Sequence, residues 1–169
     1  GDGVIGAEIA AHKGVDKVAF TGSTAVGQSI RKSTAGQGKK LTLELGGKSA
    51  FIVFEDADLD AAVEGLVDSI WFNQGEVCCA GSRLLVQAEV AKELHLKIKR
   101  RIKQLRLGKP LDKSTDLGSL VSKTQFNRVS EMVQEGLNHG GEIYQAFDID
   151  EKGNYYPPTL ITDVDSSHP

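Results

Sequence analysis

Cysteine is scarce in this chain: two residues among 169, Cys78 and Cys79, side by side. That count excludes a disulfide framework. Adjacent cysteines rarely pair with each other, because the eight-membered ring is strained. A reduced, cytoplasmic setting is the expectation. Positive charge is not in excess either. Twenty Lys and Arg stand against 23 Asp and Glu, for a net charge of −3, which gives nucleic acid no electrostatic footprint. The basic run KIKRRIKQLR, Lys97 to Arg106, reads as the solvated face of a helix with an apolar stripe. Long apolar runs are missing. Ala50–Phe54 is typical, far below the roughly 18 residues that span a bilayer, so no membrane partner is expected. No signal peptide opens the chain, its single Met is Met132, and it ends on SSHP with no element completed. The expectation is an internal piece of a longer protein, truncated at both ends.

What is present alternates between strand and helix patterns. After a glycine-rich turn, Gly6 to His12 reads as a helix, and Asp16 to Phe20 as a strand. Ser23 or Thr24 then caps a helix carrying Val26 and Ile30. Lys40 to Leu45 alternates like a strand, with Leu41, Leu43 and Leu45 on one face, and Gly46–Gly47 breaks it. Ser49 to Phe54 is almost continuously apolar, the pattern of a strand buried on both faces. Asp56 to Phe72 is helical, with acids in the first turn where the dipole favours them. Phe72 to Gly81 reads as loop or frayed helix end, and Ser82 to Gln87 as a strand. Glu89 to Leu107 is a helix striped by Leu94, Ile98, Ile102 and Leu105. A loop follows over Lys109 to Thr115. Ser122 to His139 is a helix stopped by Gly140 and Gly141. Glu142 to Ala146 is a strand, and Pro158 to Val164 is extended. The alternation predicts an α/β fold with a mainly parallel sheet. No internal repeat is visible.

Several motif-like stretches fail on inspection. GDGVIG, Gly1 to Gly6, has the glycine spacing of a dinucleotide fingerprint. The next strand, VAF, is followed by Thr21 and Gly22 where the fingerprint needs an acid. LGGKS, Leu45 to Ser49, ends like a phosphate loop, but the position of the loop's first glycine holds Thr42. No metal is expected. His12, His95, His139 and His168 have no ligand spacing, and there is no C-x-x-C or H-E-x-x-H.

Three glycine-flanked segments remain. FTGSTAVG, Phe20 to Gly27, is a strand end, a tight turn and a helix start. Its free N–H groups and the Ser23 hydroxyl suit an anion such as pyrophosphate, and equally a plain capped helix. Glu44, in LELGGKS, stands at the carboxyl end of a strand, where open α/β sheets bind ligands. It reads as a general base or as an ordinary exposed glutamate. Cys78, in FNQGEVCCAGSR, reads as a nucleophile, since a thiolate is reactive even at small ionised fractions, or as a small buried hydrophobe.

Taken together, these segments resemble the aldehyde dehydrogenase superfamily. LELGGKS is similar to its glutamate motif and FNQGEVCCAGSR to its cysteine motif, with Cys78 standing 34 residues after Glu44. FTGSTAVG is similar to its cofactor-contacting turn. AFIVFEDADLDAAV resembles the strand and helix that follow the glutamate motif, and YYPPTLITDV the stretch before a later cofactor-contacting motif. QAFDI and YYPPTL are similar to the branch called the sixteenth family, whose members carry two dehydrogenase-like modules.

The resemblance implies Rossmann-type layers. Residues 1–46 would close a coenzyme-binding domain and residues 47–169 open a catalytic domain. It implies oxidation of an aldehyde to a carboxylic acid with NAD or NADP. Cys78 would be the nucleophile, its backbone N–H an oxyanion donor, and Glu44 the base that hydrolyses the thioester. Gly22, Ser23, Thr24 and Gly27 would contact the pyrophosphate, Leu45 the nicotinamide end and Gly3 the adenine side. Trp71, Phe72, Val77 and Cys79 would line the aldehyde channel. The full-length protein would be a homo-oligomer, a dimer or tetramer, and residues 1–169 alone would be inactive. Two departures stand out. Ala25 and Val26 replace an acid and an aliphatic found in many members, and the upstream segment that carries most cofactor contacts is absent. The alternatives are a non-catalytic dehydrogenase-like scaffold and a CoA-acylating semialdehyde dehydrogenase. The latter often lacks the glutamate, so Glu44 favours hydrolysis.

Overall fold

The structure, a computed structural model, describes residues 2–149 and 151–164. Gly1 and His168 therefore lie outside the described residues. The chain divides into two compact units, Gly1–Gly47 and Lys48–Pro169.

The first unit runs α1 (Gly3–Ala11), β1 (Lys17–Thr21), α2 (Thr24–Ser33) and β2 (Lys40–Glu44). β1 and β2 pair in parallel from Lys17–Lys40 to Thr21–Glu44, with α2 as the crossover. Both strands alternate in burial, so Val18, Phe20, Leu41 and Leu43 share the covered face. α1 starts three residues earlier than the sequence suggests. Asp2 is its N-cap and accepts from the Val4 N–H at 3.1 Å, which draws Gly3 into the first turn. At the other end, the Lys39 ammonium donates to the Ala10 and His12 carbonyls at 2.8 and 2.6 Å. A cation on orphan carbonyls is a favourable C-terminal cap.

The second unit runs β3 (Ala50–Val53), α3 (Leu59–Trp71), β4 (Arg83–Val86), α4 (Ala88–Ile102), α5 (Lys123–Asn138), β5 (Glu142–Gln145) and β6 (Thr159–Thr162). β3 and β4 are parallel, whereas β5 and β6 are antiparallel. The strands among the described residues thus form separate two-stranded sheets, two of them parallel. α3 starts at Leu59, three residues later than the expected Asp56, because Asp58 is its N-cap and accepts from the Asp60 and Ala61 N–H groups; Ser122 caps α5, accepting from Gln125.

The core of this unit forms where α3 and α4 cover one face of β3 and β4. Leu94, Ile98 and Ile102 are 1%, 0% and 0% exposed and pack with Val53, Val63 and Leu66. Burying each such side chain contributes roughly 1.5–3 kcal/mol. Two expectations need correction. β3 is not buried on both faces: Ile52 and Phe54 are 57% and 63% exposed, because α3 and α4 cover the Val53 face and, among the described residues of this unit, the Ile52 face is left open. α4 ends at Ile102 rather than Leu107. Its last turn tightens, with the Leu105 N–H donating to the Ile102 carbonyl at 3.1 Å, and Leu105 turns into a second cluster with Val67 and Leu117.

Just beyond, Asp116 accepts from the Arg106 backbone N–H at 2.8 Å and from its guanidinium at 3.2 Å. The guanidinium bond, then the backbone bond, hold the Asp116 carboxyl below the usual aspartate range. A carboxyl lowered by folding stabilises the fold above its unfolded value, and that contribution is lost as pH falls through its folded value. Asp116→Asn is therefore expected to lower the melting temperature slightly at neutral pH and to match the parent at the acid end. Melting curves across pH 2–7 check this; an equal deficit at every pH contradicts it.

Candidate active site

In the first unit, the register sets Thr21 beside Glu44 at the carboxyl ends of the parallel pair. The chain leaves β1 through Gly22, whose N–H donates to the Glu44 carbonyl at 3.0 Å. Ser23 then caps α2: its hydroxyl accepts from the Val26 N–H at 3.3 Å and its carbonyl from the Gly27 N–H at 3.0 Å. The N–H groups of Thr24 and Ala25 meet no acceptor among the described residues. A Cβ on Gly27 would stand 2.6 Å from Leu45 Cδ2, so the glycine lets α2 close down on Leu45. Gly22, Ser23, Thr24, Gly27, Glu44 and Leu45 are thus one local assembly. Glu44 contributes its carbonyl to the fold and leaves its side chain exposed. Gly3 sits apart in the first turn of α1, and no heavy atom lies within 4 Å of where its Cβ would be.

In the second unit, α3 gives way to a single 3-10 turn, Phe72–Gly75. Asn73, Gln74 and Gly75 all have positive φ, at 48°, 58° and 79°, which swings the chain sharply away from the helix axis. Only glycine fits the third position, since a Cβ there would be 2.9 Å from the Ile70 carbonyl oxygen. A β-turn follows, closed by the Ala80 N–H donating to the Val77 carbonyl at 3.1 Å. Cys78 and Cys79 are its two central residues, and both are exposed. The Cys78 N–H has no acceptor among the described residues. The Gly81 N–H then donates to the Ser69 carbonyl at 3.2 Å and to its hydroxyl at 3.1 Å. A Cβ on Gly81 would collide with that hydroxyl, so a larger residue there would push the Ser69 side chain off the Gly81 N–H. Phe72 is 71% exposed, and Val77 is half-buried. Trp71 is half-buried and packs against both hydrophobic clusters.

The first unit presents a carboxylate at a strand end and a capped helix start with free N–H groups, and the second, taken by itself, presents two thiols on an exposed turn. Such a helix start suits the phosphates of a dinucleotide. Among the described residues, no group of three His, Cys, Asp or Glu side chains is placed to hold a metal ion. None of their helices is long and apolar enough to cross a membrane.

Comparison with known proteins supplies the context. The model of the aldehyde dehydrogenase family matches residues 1–169. The chain belongs to the aldehyde dehydrogenase family. Retinal dehydrogenase 2 of Taeniopygia guttata is 41% identical over 95% of this chain and 32% of its own length. An aldehyde dehydrogenase of Alternaria alternata is 44% identical over 95% of this chain and 33% of its own. Betaine aldehyde dehydrogenase of Staphylococcus aureus, solved in complex with NAD+, superposes with a TM-score of 0.94 at 34% identity, over 99% of this chain and 34% of that one. The chain therefore spans about a third of the length of these aldehyde dehydrogenases.

Sequence reasoning missed three residues around the cysteine turn. Gln74 and Glu76 accept backbone N–H groups from Gly118 and Val121, and Ser69 holds Gly81. The only signal in the sequence is the polar run NQGE directly after a helix.

Proposed function

We propose that the full-length protein to which this chain belongs is an NAD(P)+-dependent aldehyde dehydrogenase. Cys78 is its nucleophile and Glu44 its hydrolytic base. The observation that carries this reading is the Val77–Ala80 turn. It holds Cys78 exposed, with an unengaged N–H at the same residue, in a chain that the aldehyde dehydrogenase family model matches throughout.

The chemistry follows from those groups. The Cys78 thiolate attacks the aldehyde carbon, forming a C–S bond and moving the carbonyl electron pair onto oxygen. The Cys78 N–H stabilises that oxyanion, which fixed backbone donors do without reorganisation. NAD(P)+, held at the Ser23 hydroxyl and the N–H groups of Thr24 and Ala25, would supply the two-electron oxidation, as hydride acceptor, that turns the Cys78-bound aldehyde into a thioester. Glu44 takes a proton from water, the water oxygen attacks the thioester carbon, and the C–S bond breaks to release the acid and the thiolate.

The Ser23 hydroxyl and the N–H groups of Thr24 and Ala25 suit the pyrophosphate, with Gly22 and Gly27 giving the turn its shape. Leu45, packed under Gly27, is the wall for the nicotinamide end, and Gly3 lies toward the adenine side. Trp71, Phe72, Val77 and Cys79 border the aldehyde. Residues 1–46 close the coenzyme-binding domain and residues 47–169 open the catalytic domain. The full-length protein is a cytoplasmic homo-oligomer.

Because the chain spans about a third of its relatives, residues 1–169 alone are expected to show no aldehyde oxidation, while the full-length protein does. NADH or NADPH formation, followed at 340 nm with an aldehyde panel, checks both. Turnover by the isolated 169 residues, or none by the full-length protein, contradicts the reading.

A further inference from the structure

We propose that Gln74 and Glu76 are positioning residues that tie the Cys78 turn to the segment Gly118–Val121 and so set where the thiolate points. The inference rests on Cys78 being the nucleophile. It starts from backbone strain. Asn73 and Gln74 are consecutive non-glycine residues at φ 48° and 58°, a conformation that persists only where surrounding contacts impose it.

Two side chains supply those contacts. The Gln74 side-chain oxygen accepts the Gly118 N–H at 2.9 Å. The Glu76 carboxylate accepts the Val121 N–H at 3.1 and 3.4 Å. Within the loop, the Glu76 N–H donates to the Asn73 carbonyl at 3.0 Å, and the Asn73 amide returns a bond to the Glu76 carbonyl at 3.3 Å.

The segment they hold is itself well fixed. Leu117 and Leu120 are buried. The Leu117 N–H donates to the Arg106 carbonyl at 3.1 Å and the Leu120 N–H to the Asn154 carbonyl at 2.9 Å. Cys78 thus sits between two anchors: Glu76 on Val121 upstream and Gly81 on Ser69 downstream. A nucleophile displaced by about 1 Å loses on the order of a hundredfold in rate.

The test uses the full-length protein. Gln74→Gly accepts the left-handed backbone but removes the acceptor, and Glu76→Leu removes the second acceptor. Gln74→Glu and Glu76→Gln keep an oxygen at each place. The first pair is expected to lower kcat by about 10- to 100-fold, with the aldehyde KM little changed. Iodoacetamide labelling of the Cys78 peptide is expected to slow in parallel. The second pair is expected to stay within about threefold of the parent on both readouts.

Full kcat in both Gln74→Gly and Glu76→Leu overturns the proposal, as does a loss that Glu76→Gln fails to rescue. If Gln74→Gly does not fold, Glu76→Leu against Glu76→Gln decides alone. Cys78→Ala, run alongside, separates the two failures. If it is active, the nucleophile assignment falls. If it is dead while both tie-breaking variants are fully active, only the positioning role falls.

Discussion

Cys78→Ala in the full-length protein is expected to lose aldehyde oxidation and ester hydrolysis together, by about 10⁴-fold or more, the scale seen when a catalytic nucleophile is deleted. On the proposed mechanism both reactions pass through one acyl bond at Cys78 Sγ, which leaves neither a second route. Cys79→Ala is expected to keep both within about tenfold, since a wall of the channel affects binding more than bond making. The structure makes the comparison clean. Both cysteines occupy the centre of one β-turn and both are exposed, so neither truncation opens a cavity in the core. Equal melting temperatures for the two variants would confirm that only chemistry has changed. A dead Cys79→Ala beside an active Cys78→Ala would reverse the assignment.

Glu44→Gln is expected to behave differently. The first turnover should still release a stoichiometric burst of reduced cofactor, and the steady state should slow by about 10²- to 10⁴-fold, the usual contribution of a positioned base. The burst survives because acylation needs only the thiolate and the hydride acceptor. Hydrolysis fails because an amide takes no proton from water. The fold gives no reason for a wider effect: residue 44 holds the Gly22 turn through its backbone carbonyl, which glutamine retains. Stopped-flow absorbance at 340 nm reads both phases. A lost burst with a slow steady state would place Glu44 in acylation and contradict its role as the hydrolytic base.

The sequence disclosed some of this better than the rest, for physical reasons. The alternation of Leu41 and Leu43 marked β2 because half-buried strands repeat every two residues. Ser23 and Ser122 marked helix starts because a short side-chain oxygen satisfies the orphan N–H groups there, whereas the acid-rich DADLD run put the start of α3 at Asp56 when Asp58 is its cap. The Glu44, Ser23 and Cys78 segments stood out because each puts a reactive or hydrogen-bonding group beside glycine. Other features depended on distant residues. α4 stops at Ile102 where Asp116 takes the Arg106 N–H, a contact ten residues away. The left-handed run at Asn73 and Gln74 depends on Gly118 and Val121, which no local pattern announces. Ile52 and Phe54 looked doubly buried because apolar composition reports what a strand prefers, not which of its faces is covered within this chain.

The most direct test of the central claim is to find the acyl group itself. Full-length protein carrying Glu44→Gln would be mixed with NAD+ and one equivalent of aldehyde, quenched in acid within the burst, and mapped by peptide mass spectrometry. The account predicts a single acyl adduct on Cys78, with Cys79 unmodified. An adduct on Cys79, or on a residue outside the Val77–Ala80 turn, would contradict it.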